Sequence, residues 1–363
     1  MTGDTPAPPI PLAVEDVDRA WVDAALRHGG HDVEVTAVAH GEVTGGNATK
    51  IRVRATYAGA TDLPADLFVK VGMELQDPSK NLTGSTYDVE GRFFLDVLHR
   101  VDGLDAPRCL AALIDEGSHR CALVLEDVVA AGGTFGDPRR RDLDADEVAE
   151  LLGRLAALHG RWWGGDPSTP IAGLDHGIRR DNRLGRYYAT FDRAHLAGLL
   201  DGPRGAALPD GPWRPEALHD AFWANAGAAE RDAPALIHAD PHLGNIFVRA
   251  DGRTGLADWQ TLRWGRWAHD VSYLVGSTLP VPVRRAHEDD LLDHYLDVLR
   301  ATAPGAPSGD AARLAYRQSL VYGLVGWLTA PDYFGYPEDY RRAYATRFAH
   351  AALDHGTLRA LAA

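Results

Sequence analysis

The chain has 363 residues, 45% of them apolar and 24% charged, with a formal net charge of −14. That length exceeds what one hydrophobic core usually serves, so two lobes are expected. The acidic balance excludes the basic footprint that nucleic-acid binding requires. No run of about 18 apolar residues occurs, which predicts no membrane span. The Pro-rich start lacks the basic and apolar regions of a signal peptide. Cys109 and Cys121 form neither a metal-binding spacing nor a disulfide framework, as expected of core residues in a reducing cytoplasm.

Residues 16–27 have helical spacing, with Val17, Ala20, Trp21, Ala24 and Ala25 on one side. The period then changes: Ile51, Val53, Ala55 and Tyr57 alternate with Lys50, Arg52, Arg54 and Thr56, as in a half-buried strand. The preceding residues 40–48 read as a Gly-rich turn between two strands. A strand at 67–71 follows, then a helix at 86–98 whose Val89, Phe93, Phe94 and Val97 mark the buried stripe. Another apolar strand spans 121–128. Residues 1–128 are therefore expected to form a mainly antiparallel sheet with one helix. Residues 129–363 read as mainly helical, which makes the fold class α+β. Asp144 begins a capping box that leads into Val148, Leu151, Leu152, Leu155 and Leu158 on one face. Short strands are expected at 235–238, 245–248 and 255–259, the last two joined through Asp251-Gly252. Helices are expected at 288–300, 311–329 and 337–361.

The chemistry concentrates in His238-Ala239-Asp240-Pro241-His242-Leu243-Gly244-Asn245, with Asp258 thirteen residues beyond Asn245. Phosphoryl transfer needs the phosphates held, their charge neutralised by a divalent metal, and an acceptor hydroxyl positioned. Mg²⁺ takes hard oxygen ligands, and the hairpin can return Asp258 to the neighbourhood of Asn245 to supply two of them. Asp240 is then left to accept or orient the proton of the hydroxyl. His238, at the end of an apolar strand, is expected to hold the loop backbone. His242 has two readings, a loop brace or a contact with metal-bound water or substrate.

His-x-Asp-x-x-x-x-Asn followed by Asp258-Trp259-Gln260 resembles the aminoglycoside phosphotransferase and choline kinase superfamily. Leu67-Phe68-Val69-Lys70, Glu90 before Phe93-Phe94, Ala106-Pro107-Arg108-Cys109 and Leu123-Val124-Leu125-Glu126-Asp127-Val128 are similar to its ecdysteroid kinase-like branch. So is Leu155-Ala156-Ala157-Leu158-His159 before Trp162. The likeness runs in order from about residue 40 to residue 275. The resemblance implies a two-lobed protein kinase-like fold, ATP as phosphoryl donor and Mg²⁺ as cofactor. It implies that Lys70 contacts the α- and β-phosphates and pairs with a helix carboxylate, here Glu90, with Asp88 and Glu74 also at hand. A lysine in so apolar a strand needs an anionic partner on desolvation grounds as well.

The loop carrying Gly45, Gly46 and Asn47 would cover the phosphates with backbone N–H groups. Glu126 and Val128 would bound a hinge whose main chain meets adenine, and Asp270 reads as a structural brace. The acceptor is expected to be a small hydroxylated molecule: sterol-like, hydroxyacyl, nucleoside-like or another secondary metabolite. An aminoglycoside would want clustered carboxylates, for which Glu288-Asp289-Asp290 is the available run. The presence of Lys70, Asp240, Asn245 and Asp258 argues against a non-catalytic nucleotide-binding protein. The lack of Asp-Phe-Gly followed by Ala-Pro-Glu argues against a protein kinase.

Overall fold

A computed structural model describes residues 6–45, 48–72, 87–166, 168–169, 171 and 173–362. The chain divides into two compact units. The first comprises Met1–Arg100, Ala106–Thr134 and Val248–Thr261; the second comprises Val101–Asp105, Phe135–Phe247 and Leu262–Ala363.

In the first unit, strands β1 (Val35–Thr44), β2 (Thr49–Tyr57), β3 (Asp66–Val71), β4 (Cys109–Asp115) and β5 (Arg120–Glu126) form an antiparallel sheet in the order β1-β2-β3-β5-β4. The alternation in β2 turns Ile51, Val53 and Ala55 into a core shared with Leu67, Val69, Val71 and Val124. Helix α1 (Arg19–His28) adds Trp21, Val22, Ala25 and Leu26 to that core. It starts three residues later than its periodicity indicates, because Asp18 caps it by accepting from Trp21 N at 2.8 Å. The Gly-rich turn expected at 40–48 is shorter than its composition indicates. Residues 40–44 continue β1 and pair with β2 as far as Thr44↔Lys50. An exposed edge strand tolerates Gly41 because the ladder is made by main chain, not side chains.

Helix α2 (Tyr87–Arg92) continues as a π turn (Phe93–Val97) and a 3₁₀ turn (Leu98–Arg100), so the helix expected at 86–98 exists but is not uniformly α. Its contact with the sheet depends on Gly91. A Cβ there would stand 2.8 Å from Cys121 Sγ and 2.8 Å from Ile114 Cγ1. The expectation that Cys121 is a core residue holds: it is buried, and burial pushes its thiol pKa well up.

The two-residue strand β6 (Thr134–Phe135) follows. The second unit then opens with α3 (Ala145–Arg161), whose capping box is closed by Asp144 Oδ1 accepting from Glu147 N and Glu147 Oε2 accepting from Asp144 N. Helices α4 (Arg183–Ala189), α5 (Arg193–Leu200) and α6 (Pro215–Ala229) come next, then β7 (Ala235–Ile237), β8 (Ile246–Val248), β9 (Thr254–Leu256) and β10 (Arg263–Gly265). β7 pairs antiparallel with β10. The strand expected to reach 259 stops at Leu256, because Asp258 leaves extended geometry with φ at 65°.

Helices α7 (Trp267–Thr278), α8 (Val281–Thr302), α9 (Gly309–Thr329), α10 (Glu338–Asp354) and α11 (Thr357–Ala362) complete the unit. The helix expected at 337–361 is two, separated at Gly356, whose φ of 58° is the left-handed conformation that ends helices. α3 packs on α8, and α9 packs on both α7 and α10. Among the described residues no helix is long and apolar enough to cross a membrane. An antiparallel sheet with one helix after its third strand, and a mainly helical second unit, is the α+β class expected.

Candidate active site

The first unit brings together three of the residues singled out in the sequence. Lys70 is buried on β3, with Nζ 2.5 Å from Glu90 Oε2, and it donates to Asp258 Oδ1 at 2.8 Å. Burial works against its ammonium charge, but Asp258 and Glu90 outweigh that penalty and hold its pKa above the ordinary lysine value. Burial pushes the Glu90 carboxyl up, and the charge of Lys70 resists the shift. Glu90 Oε1 also accepts from Trp259 N at 3.2 Å, which ties α2 to the segment carrying Asp258. Of the other carboxylates considered, Asp88 pairs with Arg92 and with His119, and Glu74 lies outside the described residues.

A left-handed backbone at a non-glycine residue such as Asp258 costs on the order of 1–3 kcal/mol and needs a rigid surround. The Trp259 ring supplies part of it, stacked on Phe93 at 3.8 Å between centroids, with its indole N–H donating to Leu256 O at 3.0 Å.

The second unit holds the other part of the constellation. The loop after β7 is clamped from below by Asp270, a fully buried residue in the first turn of α7. Its Oδ2 accepts from His238 N at 2.7 Å and its Oδ1 from Ala239 N at 2.8 Å. Burial opposes ionisation of Asp270, but the hydrogen bond from His159 and the neighbouring imidazoles hold its pKa below the usual carboxylate value. His159 is fixed in turn by Tyr295 Oη, 2.7 Å from Nδ1. Ala239 is left-handed, with φ at 72°, and its carbonyl accepts from His269 Nε2 at 3.0 Å. Burial, with Arg263 nearby, pushes the His269 pKa down to about 3, so the ring is neutral and Nε2–H is a donor.

This clamp presents Asp240 with its side chain 31% exposed, beside a buried Asn245. Asn245 Nδ2 donates to Asp240 O at 2.9 Å and to Asp240 Oδ2 at 3.2 Å. Because both of those partners only accept, the amide orientation is assigned, and Oδ1 is turned away from Asp240. His238 Nδ1 accepts from Asp240 N at 3.2 Å, so His238 holds the loop backbone as its position indicates. His242 Nδ1 accepts from Gly244 N at 3.0 Å and caps the 3₁₀ turn Leu243–Asn245.

Among the described residues no group of three or more His, Cys, Asp and Glu side chains is arranged to hold a metal. Mg²⁺ needs fewer: one or two carboxylates, with waters and substrate phosphates completing its octahedron. Asn245 Oδ1 in the second unit and the Asp258 carboxylate in the first are each hard oxygen donors of the kind Mg²⁺ takes.

Other expected site residues fall as follows. Gly45 follows β1 directly, while Gly46 and Asn47 lie outside the described residues. The Glu126 side chain is engaged in structure, accepting from Arg108 N and from Arg249 Nη1. The carbonyls of Asp127 and Val128 accept from Ala131 N and Gly133 N. In the acidic run on α8, Glu288 pairs with buried Arg284 and with His355, and Asp289 pairs with Arg313.

The double clamp by Asp270 and the role of His269 were not resolved by sequence reasoning. The available signal was an adjacent His-Asp pair opening an otherwise apolar segment. Also missed were Tyr344, which with Trp327 and Tyr336 packs around His242, and Tyr340, which stacks on Tyr336.

The profile of one family, APH, described as the phosphotransferase enzyme family, matches residues 69–307. No curated protein matches the chain. Similar solved structures include choline kinase LicA from Streptococcus pneumoniae, 13% identical over 88% of this chain and 94% of that one, with a TM-score of 0.47. Macrolide 2′-phosphotransferase MphH from Brachybacterium faecium is 17% identical over 91% of this chain and 97% of that one, with a TM-score of 0.47. A spectinomycin phosphotransferase in complex with ADP and spectinomycin is 12% identical over 90% of this chain and 95% of that one, with a TM-score of 0.49.

Proposed function

The chain belongs to the phosphotransferase enzyme family, and from that premise we propose that it is an ATP- and Mg²⁺-dependent kinase acting on a hydroxyl group of a small molecule. The observation that carries the reading is the pairing of Asp240 with Asn245. One amide nitrogen steadies a partly exposed carboxylate, and the same amide directs its oxygen elsewhere.

In this reading Asn245 Oδ1 and Asp258 are the protein's oxygen ligands to the metal. Bound Mg²⁺ offsets the negative charge of the donor phosphates. Lys70, kept charged by Glu90 and Asp258, reaches the α- and β-phosphates. The main chain of residues 126–128 meets adenine. Asp240 accepts the acceptor's proton as the new bond forms from the hydroxyl oxygen to the γ-phosphorus. The bond from that phosphorus to the bridging oxygen breaks, and its electron pair leaves with ADP.

The ordered segments from Leu67-Phe68-Val69-Lys70 to Trp162 support a place near the ecdysteroid kinase-like branch, and with it an apolar hydroxylated acceptor. The pairing of Glu288 with Arg284 and of Asp289 with Arg313 gives the acidic run a structural use, which weighs against its serving a polycationic drug.

ADP formation measured with MgATP against a panel of hydroxylated metabolites, with products identified by mass, tests the proposal. Asp240→Asn and Asp258→Ala are expected to lower kcat by about 10²–10⁴-fold, the usual worth of a positioned general base or more. Wild-type turnover in both folded variants overturns the assignment.

A further inference from the structure

We infer that His242 is a positioning residue for Asp240, holding the carboxylate through Nε2 while Nδ1 braces the loop. The inference rests on the assignment of Asp240 as the group that takes the acceptor's proton. A loop cap requires only an acceptor, and Asn, Asp or Ser serves that purpose at least as well as histidine. Imidazole differs in carrying a second nitrogen on the far side of the ring. Here Nδ1 accepts from Gly244 N at 3.0 Å, so a neutral ring carries its proton on Nε2. That Nε2 lies 3.8 Å from Asp240 Oδ2 and 3.5 Å from Tyr336 Oη.

The ring has little freedom to point elsewhere. It is 1% exposed and stands edge to face with Trp327 at 5.1 Å, Tyr344 at 5.6 Å, Tyr336 at 6.0 Å and Tyr273 at 6.4 Å. Asp240 is the more exposed partner, and a small rotation of its carboxylate closes the remaining gap. Hydrogen bonds of catalytic groups are commonly long in the ligand-free state and tighten with substrate bound. Asn245 Nδ2 donates to the same oxygen, Oδ2, at 3.2 Å. The Asn245 amide and the His242 ring thus approach the carboxylate at the same oxygen, the first in hydrogen-bond contact and the second at 3.8 Å. His242 therefore helps fix the orientation of the Asp240 carboxylate, and the aromatic cluster holds His242.

Two substitutions separate its two nitrogens. His242→Asn keeps an acceptor where Nδ1 stands and removes Nε2. His242→Gln keeps an amide near Nε2 and gives up the cap. The expected result for His242→Asn is a Tm close to wild type, an unchanged KM for ATP and a kcat lower by about tenfold or more, the scale on which small misplacements of reacting groups act. His242→Gln is expected to lose Tm yet keep kcat within about threefold when assayed below its transition.

A wild-type kcat in His242→Asn overturns the inference, and so do equal kcat losses in the two variants. Should His242→Asn not fold, His242→Gln is compared with His242→Met: retained kcat in the first and loss in the second supports positioning, and equal loss overturns it. Asp240→Asn in the same assay keeps the two ideas distinguishable. An inactive Asp240→Asn beside a fully active His242→Asn removes only the role of His242, whereas an active Asp240→Asn removes the base assignment itself.

Discussion

His269 and Asp270 are adjacent, both buried, and between them hold three successive peptide groups in the loop after β7, Asp270 through the N–H groups of His238 and Ala239 and His269 through the carbonyl of Ala239. Their ionisation makes the clamp sensitive to acid. The His269 pKa is lowered from 6.5 to about 3 in the folded chain. As pH falls below about 6.5, the unfolded chain takes up a proton that the folded chain refuses until about pH 3. The resulting contribution to stability is fully present above that window and is lost progressively within it, at up to about 1.4 kcal/mol per pH unit. Asp270, with a depressed pKa, acts in the same direction, losing its contribution as pH falls through its folded value. His269→Gln retains an N–H donor for Ala239 O but does not titrate. Its Tm is expected to fall less steeply than wild type between pH 6.5 and 4.5 in thermal scans, and parallel slopes would count against this account. Of the residues in this clamp, the sequence exposed only Asp270 as a brace. The reason is that a main-chain N–H has no residue-type signature, so its partner can be recognised only in three dimensions.

At the scale of elements, α2 shows how a glycine sets the position of a charge. Gly91 lets the helix lie against Cys121 and Ile114, and its neighbour Glu90 thereby reaches Lys70 on β3. Gly91→Val would force the helix away from the sheet. The expected cost is about 1–3 kcal/mol of overpacking, read as a lower urea midpoint. Because Glu90 moves with the helix, weaker nucleotide binding is expected alongside, and a variant with wild-type midpoint and ATP affinity would show that α2 is not held this closely.

The amphipathic elements were the legible ones: β2 by its alternation, and α3 by its capping box and single apolar face. α7 carries no such stripe because every one of its residues is buried, so no polar face exists to set a period. β4 was also missed, since Cys109, Ala111, Ala112 and Leu113 are apolar on both faces.

Taken as a whole molecule, the first unit is discontinuous: Val248–Thr261 returns to it after more than a hundred residues of the second. That segment brings Asp258 to Lys70, Trp259 to Phe93, and Arg249 to Glu126. A fragment of residues 1–134 holds all five strands of the large sheet but lacks these partners. It leaves Lys70 with one carboxylate and Phe93 without its stacked ring. Breaking buried ionic pairs costs about 3–5 kcal/mol, a large share of an ordinary domain's stability. The fragment is therefore expected to show no cooperative urea transition, unlike the full chain, and a sharp transition in it would refute this account of the first unit.

By itself the sequence determined the kinds of chemistry present: an acidic chain unsuited to nucleic acid, a lysine in an apolar strand, and a loop whose Asp and Asn stand at a spacing suited to phosphoryl transfer. These are local properties, carried by residue type and period, and they survive without coordinates. Only the tertiary structure decided that Lys70 has two carboxylate partners, one of them 188 residues away. It alone decided that Asn245 turns its nitrogen to Asp240, and that Glu288 and Asp289 on α8 pair with arginines. The physical reason is that pairing energies depend on distance and burial, and both are set by chain closures far longer than any sequence window.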